Sequence, residues 1–330
     1  MNCSWRNSEN SNQKKRREMN ETERIALVEH ICTLYPRLQQ FFEHMDQCTQ
    51  SVTEASQNLT QCPLNMAVAG QAGVGKTVLA QIWLSEAMRK VQVGETRSSS
   101  PYHYIRLPAM ITQKSLLYHL LCTATDFCSN RQLSVTNTWN MENLFFQVLP
   151  ASGIHLIILD NCEYLIRNQS MHTISALIEL LVRLTYQRDL SLILLGELAA
   201  MEHIMEAFPK FERHFGPLLH LTPLGWDRAH PETVMEWQTL LTTLDHELPF
   251  DETALAAEGI GYRLFYATDG IVGRLMQLLF VAAEKAILEA STTLSLCDLA
   301  YAYNLCIAET SMGRGKVNPF SASDFREMSD

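Results

Sequence analysis

Between residues 65 and 221, short continuous apolar runs alternate with longer stretches whose apolar residues recur at helical spacing. The short runs, at 65–69, 102–107, 154–159, 191–195 and 218–221, predict strands. The periodic stretches at 77–88, 113–127, 141–149 and 171–187 predict helices between them. A continuous apolar run has no solvent side, so alternation with helices predicts a parallel sheet covered on both faces. Upstream, Ile25, Val28, Ile31, Leu34, Leu38, Phe41, Phe42 and Met45 keep helical spacing across a break at Pro36. Beyond Pro223 the pattern is helical, at 231–244, 251–267, 273–288 and 294–307. The expected class is α/β, a five-stranded parallel sheet between helices followed by a helical lid. The expected division is a flexible basic arm at 1–20, a helical segment at 21–60, the α/β core at 61–225, the lid at 226–310 and a loose tail at 311–330. Lys14-Lys15-Arg16-Arg17 makes the arm basic.

One break in this pattern carries chemistry. Gly70-Gln71-Ala72-Gly73-Val74-Gly75-Lys76-Thr77 joins the first strand to the next helix, which Val78 opens, and reads G-x-x-x-x-G-K-T. Glycine lets the backbone bend until several N–H groups point inward, and the helix N-terminus adds its positive dipole end. Such a cradle takes a β-phosphate, with Lys76 reaching the β- and γ-phosphates and the Thr77 hydroxyl ligating Mg²⁺. The flanking strand and helix argue against a glycine-rich turn with a chance Lys-Thr. The expected ligand is a nucleoside triphosphate, ATP with Mg²⁺.

Composition narrows what this ligand can be used for. The 330 residues are 47% apolar, enough for a sizeable core. A net charge of −10 provides no global field for nucleic acid or anionic membrane, so any DNA contact must be local. Nine cysteines without a C-x-x-C pair suggest free thiols in a reducing compartment. No apolar run approaches membrane-spanning length, and the polar, basic start is unlike a signal sequence. These features predict a soluble, cytoplasmic protein.

An α/β core followed by helices resembles the layout of AAA+ ATPases. Ile154 to Asp160 then reads as a Walker B strand, with Asp160 placed to hold Mg²⁺ through its water shell. AAA+ hydrolases usually follow this Asp with a Glu that polarises the attacking water, and here Asn161 stands there. An amide orients water but cannot accept its proton. Glu163 is a candidate substitute only if the loop bends suitably; the expectation is that it does not, and that hydrolysis is slow. Glu197, after Gly196, is unusual beside phosphate, where a carboxylate is repelled unless a metal or cation intervenes. Arg213, in Phe211-Glu212-Arg213-His214-Phe215, is placed to reach the γ-phosphate of a neighbouring copy as an arginine finger. Arg274, in Thr268 to Leu275, takes the sensor position on the lid.

Together these residues resemble the TniB/TnsC family, the AAA+ regulators of DNA transposition, which are similar to MuB. The resemblance runs from about Glu21 to Phe320. It includes Glu23-Arg24-Ile25, Tyr35-Pro36, Tyr104-Ile105-Arg106-Leu107-Pro108, Leu194-Leu195-Gly196, Glu212-Arg213, Leu221-Thr222-Pro223-Leu224, Gly270 to Arg274 and Asn318-Pro319-Phe320. It implies ATP-driven assembly of a homo-oligomeric ring or helical filament around double-stranded DNA. It also implies partnership with a DDE-type transposase and a TniQ-type target selector, association with a bacterial nucleoid, and a phosphate contact from Lys114 that is independent of sequence. Asn161 and Glu197 depart from the family's usual Glu and Thr, which puts turnover in doubt but not assembly. Leu159 to Leu165 also resembles the Walker B region of STAND-type signalling ATPases, a second reading alongside helicase loaders and other DNA-linked AAA+ adaptors.

Overall fold

The computed structural model describes residues 19–31, 35–58, 61–92, 100–124, 137–251, 253–310, 313 and 315–321. The basic cluster at 14–17 lies outside them. The described chain forms two compact units, residues 38–222 and residues 1–37 with 223–330.

In the 38–222 unit, continuous apolar runs become strands β1 (Met66–Ala69), β2 (Tyr102–Arg106), β3 (Leu156–Asp160), β4 (Ser191–Gly196) and β5 (Leu219–His220). They form one parallel sheet in the order β2-β3-β4-β1-β5. Side chains of one parity, including Ala67, Ala69, Ile105, Ile157, Leu159, Leu192 and Leu194, join a single core. That core also takes the apolar stripes of α4 (Gln113–Ala124), α5 (Thr138–Ser152), α6 (Met171–Leu184), α7 (Leu198–Ala207) and α8 (Pro209–Phe215). Val68, Ile158, Ile193 and Leu195, of the other parity, are equally buried, as a sheet covered on both faces requires. Caps set the helix starts: Asn137 accepts the Asn140 N–H at 2.8 Å, and Ser170 accepts that of Thr173 at 3.2 Å.

Helix α2 (Pro36–Gln57) belongs to this unit from Leu38 onward, and Asp46 accepts the indole N–H of Trp83 on α3 (Lys76–Gln92) at 2.8 Å. The first helix, α1 (Glu21–Glu29), belongs to the other unit, where Arg24 donates to Pro249 O at 2.9 Å. The single helical segment expected over 21–60 is thus divided between units.

The second unit continues with α9 (Pro231–Glu247), α10 (Glu258–Thr268), α11 (Val272–Leu288) and α12 (Leu296–Cys306). Helix α10 starts later than the pattern predicts because the Asp245 carboxylate collects Thr253 Oγ1, Leu255 N and Ala256 N, holding that stretch as a loop. The loose tail expected from 311 is not what residues 316–320 show. Phe320 is buried edge-on to Tyr303 at 6.3 Å, Asn318 donates to Ala300 O at 2.9 Å, and Pro319 O accepts from Arg263. Among the described residues, no helix is long and apolar enough to cross a membrane.

Candidate functional site

The strand order separates β1 from β3 by β4, which places the ends of all three along one carboxyl edge. In open α/β sheets this edge is where ligands bind. The glycine-rich loop leaves β1 there, and Gly70 N donates to Gly196 O at the end of β4 at 3.2 Å. A Cβ on Gly70 would lie 2.4 Å from Leu221 O and 2.8 Å from Val74 Cγ1, so only glycine permits this close approach. Gly73 and Gly75 take φ of 81° and 109°, conformations that turn the loop's N–H groups inward. Gln71 and Ala72 are exposed on the loop, Val74 is buried beneath it, and Val78 lies exposed on the first turn of α3.

Lys76 donates to the loop's own carbonyls, Gly70 O at 2.6 Å and Gln71 O at 3.0 Å. Burial pulls its ammonium below the ordinary lysine value, while Glu163, then Asp160 and Glu197, push it back up. The loop therefore holds a partly desolvated cation that feels the charge of three acids. Thr77 Oγ1 donates to Asp160 Oδ2 at 2.7 Å, bridging from β1's loop to β3. Asp160 is 1% exposed and also receives the Tyr104 hydroxyl at 2.6 Å and the Asn161 N–H at 2.9 Å. Burial and the bond to Asp160 push the Tyr104 phenol up to about 12. Arg106 Nε stands 4.0 Å from the same carboxylate. A hydroxyl and a buried carboxylate converging beside a phosphate-binding loop form an oxygen donor set suited to Mg²⁺. Among the described residues no cluster of three or more His, Cys, Asp or Glu gathers for a metal, so this pair is the candidate.

After Asp160 the chain turns sharply. Asn161 is left-handed, at φ 63° and ψ 41°, and a 3₁₀ turn follows at Cys162–Leu165. The turn brings the Glu163 carboxylate to the end of β4, where Oε2 accepts the Glu197 N–H at 3.2 Å. The loop bends so that Glu163, which the sequence leaves as a candidate substitute base, reaches this edge of the sheet. Glu197 is balanced by a residue that sequence reasoning missed: Arg167 Nη2 meets its Oε2 at 2.9 Å. This is the cation that a carboxylate near phosphate requires, and a separation of 30 positions hid the pairing.

Arg213 lies on α8, exposed, with no ion pair or hydrogen bond among the described residues; Phe211 and Phe215 stack beneath the helix at 4.4 Å. With Lys210, Arg183, Tyr186 and His214, Arg213 lines a cavity of about 590 Å³. Lys114 is half-buried in the first turn of α4. Arg274 lies in the helical unit, on α11, 3.4 Å from Asp269 Oδ2. The structure thus brings together the phosphate loop, Asp160, Asn161 and Glu163, and sets Arg213 and Lys114 on other helices of the same unit.

Residues 61–205 match the family model described as AAA domain. The match spans the phosphate loop, the Asp160 strand and β4. Solved structures show the same architecture. The Aeropyrum pernix ORC1 protein in complex with DNA aligns with a TM-score of 0.61 at 16% identity, covering 86% of this chain and 69% of that one. CDC6P from Pyrobaculum aerophilum aligns at 0.62 and 13% identity, covering 87% and 72%. The Aeropyrum pernix ORC2 protein, in ADPNP-ADP complexes, aligns at 0.53 and 16%, covering 78% and 66%. At these identities the likeness establishes the fold alone: a five-stranded parallel α/β sheet matching the AAA+ P-loop NTPase core seen in those structures. No curated protein matches the sequence.

Proposed function

We propose that this chain is an ATP-dependent regulator of DNA transposition that assembles on double-stranded DNA and links a TniQ-type target selector to a DDE-type transposase. The carrying observation is the convergence of the glycine loop, Lys76 and the Thr77–Asp160 pair at one sheet edge. In this reading the N–H groups of Gly70 to Val78 cradle the phosphates of ATP. Lys76 leaves the carbonyls of Gly70 and Gln71 for the β- and γ-phosphates. Thr77 and Asp160 hold Mg²⁺, which when bound neutralises charge on those phosphates.

Arg213 completes the site of a neighbouring copy, consistent with an exposed guanidinium that has no partner among the described residues. The resemblance assigns Arg274 to the nucleotide from the lid and Lys114 to a DNA phosphate. A net charge of −10 disfavours DNA binding by a single copy, whereas weak phosphate contacts multiply along a polymer. The fold shared with the ORC1 protein solved in complex with DNA supports a DNA-linked role over a signalling one. The Asn-Pro-Phe tail and the Tyr104 strand support the transposition reading through the family resemblance.

Sedimentation with duplex DNA tests assembly. At low salt the protein is expected to pellet with DNA when ATP is present and to remain free without nucleotide. Lys76→Ala is expected to abolish pelleting, and Lys114→Ala to weaken it and flatten its salt dependence. ATP-independent pelleting would refute nucleotide gating. For the transposition role, the protein is expected to stimulate insertion by a DDE-type transposase encoded beside its gene. No stimulation by DNA-assembled protein would remove that part of the proposal.

A further inference from the structure

Asn161 stands where a water-polarising carboxylate is expected, and its amide cannot take a proton. Glu163, on the turn that follows, is built into the same edge of the sheet. Its Oε2 accepts the Glu197 N–H at 3.2 Å, one residue past Gly196, and Gly196 O accepts the N–H of Gly70, the first glycine of the phosphate loop, at 3.2 Å. The carboxylate is thus two backbone contacts from the phosphate cradle. Asp160 is occupied by Thr77, Tyr104 and the Asn161 N–H. Glu197 is turned to Arg167 at 2.9 Å. Among the described residues, the Glu163 carboxylate accepts a single backbone N–H and no side-chain donor, which leaves lone pairs for a water.

We propose that Glu163 is the general base for nucleoside triphosphate hydrolysis in this chain, displaced from the usual position by the left-handed turn at Asn161 and anchored at the end of β4. This rests on the nucleotide-site reading above. In the step, water oxygen bonds to the γ-phosphorus as the bond from that phosphorus to the β,γ-bridging oxygen breaks. The water proton passes to Glu163, and ADP and inorganic phosphate leave.

The alternative is that Glu163 only anchors the chain before α7. Glu163→Gln separates the two roles, because its amide oxygen still accepts the Glu197 N–H but cannot take a proton. The expected result is a fall in kcat of about 10²-fold or more, typical of losing a general base. KM, the affinity for a fluorescent ATP analogue and the thermal midpoint are expected to stay near wild type. Nucleotide extracted from Glu163→Gln after incubation with ATP is expected to remain triphosphate, while that from wild type becomes diphosphate. Turnover by Glu163→Gln near the wild-type rate overturns the proposal and leaves nucleotide binding intact. Wild-type protein that binds the nucleotide but does not turn it over, with or without duplex DNA, overturns this assignment alone; turnover that survives Lys76→Ala refutes the nucleotide-site reading and this assignment with it.

Discussion

Gly70→Ala probes the phosphate loop with one methyl group. The added Cβ would stand 2.4 Å from Leu221 O and 2.8 Å from Val74 Cγ1, where real Cβ contacts keep to 3.0 Å or more. The first obstacle is backbone: Leu221 N donates to Ala69 O at 2.7 Å, continuing the β1–β5 ladder, so that carbonyl cannot swing away alone. The loop must therefore move by at least 0.6 Å or break the ladder. Overpacking of this kind costs about 1–3 kcal/mol, which lowers the melting temperature by roughly 3–10 °C for a unit of this size. A shift approaching 1 Å in groups that hold a reactant costs on the order of 10–100-fold in function. Titration with a fluorescent ATP analogue is expected to show at least about a tenfold loss of affinity. Val74→Ala in the same chain removes only the side-chain contact and is expected not to restore binding. Nucleotide affinity in Gly70→Ala within about twofold of wild type would refute the reasoning, because the loop would not then depend on this approach.

Two further expectations concern the helical unit. Burial raises the Asp298 carboxyl, but its bonds to Lys285 at 2.7 Å and to Ser295 pull it below the usual carboxylate value overall. A depressed carboxyl adds stability above its unfolded pKa of about 4, and that contribution is lost as pH falls through the lower folded value. Asp298→Asn is therefore expected to melt below wild type at pH 7 and to converge with it in acid; an undiminished gap at pH 3 would contradict this. Phe320→Ala is expected to destabilise the unit by about 3–5 kcal/mol, since the ring is buried against Tyr303. A thermal melt unchanged by this substitution would mean the tail is not docked.

The strands were legible because each is an apolar run that only a two-faced sheet can bury, and β3 and β4 show that burial at every residue. The phosphate loop was legible because glycine spacing, Lys76 and Thr77 are local in sequence. What escaped depends on contacts between distant segments. Arg167 and Glu197 meet only because a 3₁₀ turn and a strand end share one sheet edge. Tyr104 was noted for its place in a motif, yet its bond to Asp160 follows from the β2–β3 register, which pairs Arg106 with Asp160. Helices α7 and α8 went unread, although Pro209 at a helix start and Phe211 and Phe215 at i, i+4 spacing were available signals. Residues 316–320 look loose in composition and are ordered by tertiary contacts to α10 and α12. Glu163 turned on one backbone angle, the positive φ of Asn161, which asparagine tolerates but does not require.

The central claim is that each nucleotide site is completed by the Arg213 of a neighbouring copy in a DNA-bound assembly. It is tested most directly by mixing Lys76→Ala protein, which does not assemble alone, with Arg213→Ala protein, which binds ATP and carries it into the assembly on duplex DNA, and measuring ATP turnover. Each variant alone is expected to be inactive. In an equal mixture about a quarter of the head-to-tail interfaces join an intact phosphate loop to an intact Arg213, so turnover is expected to return to roughly that fraction of wild type. A mixture as inactive as its components, with both variants still recruited into the assembly, would contradict completion of the site in trans.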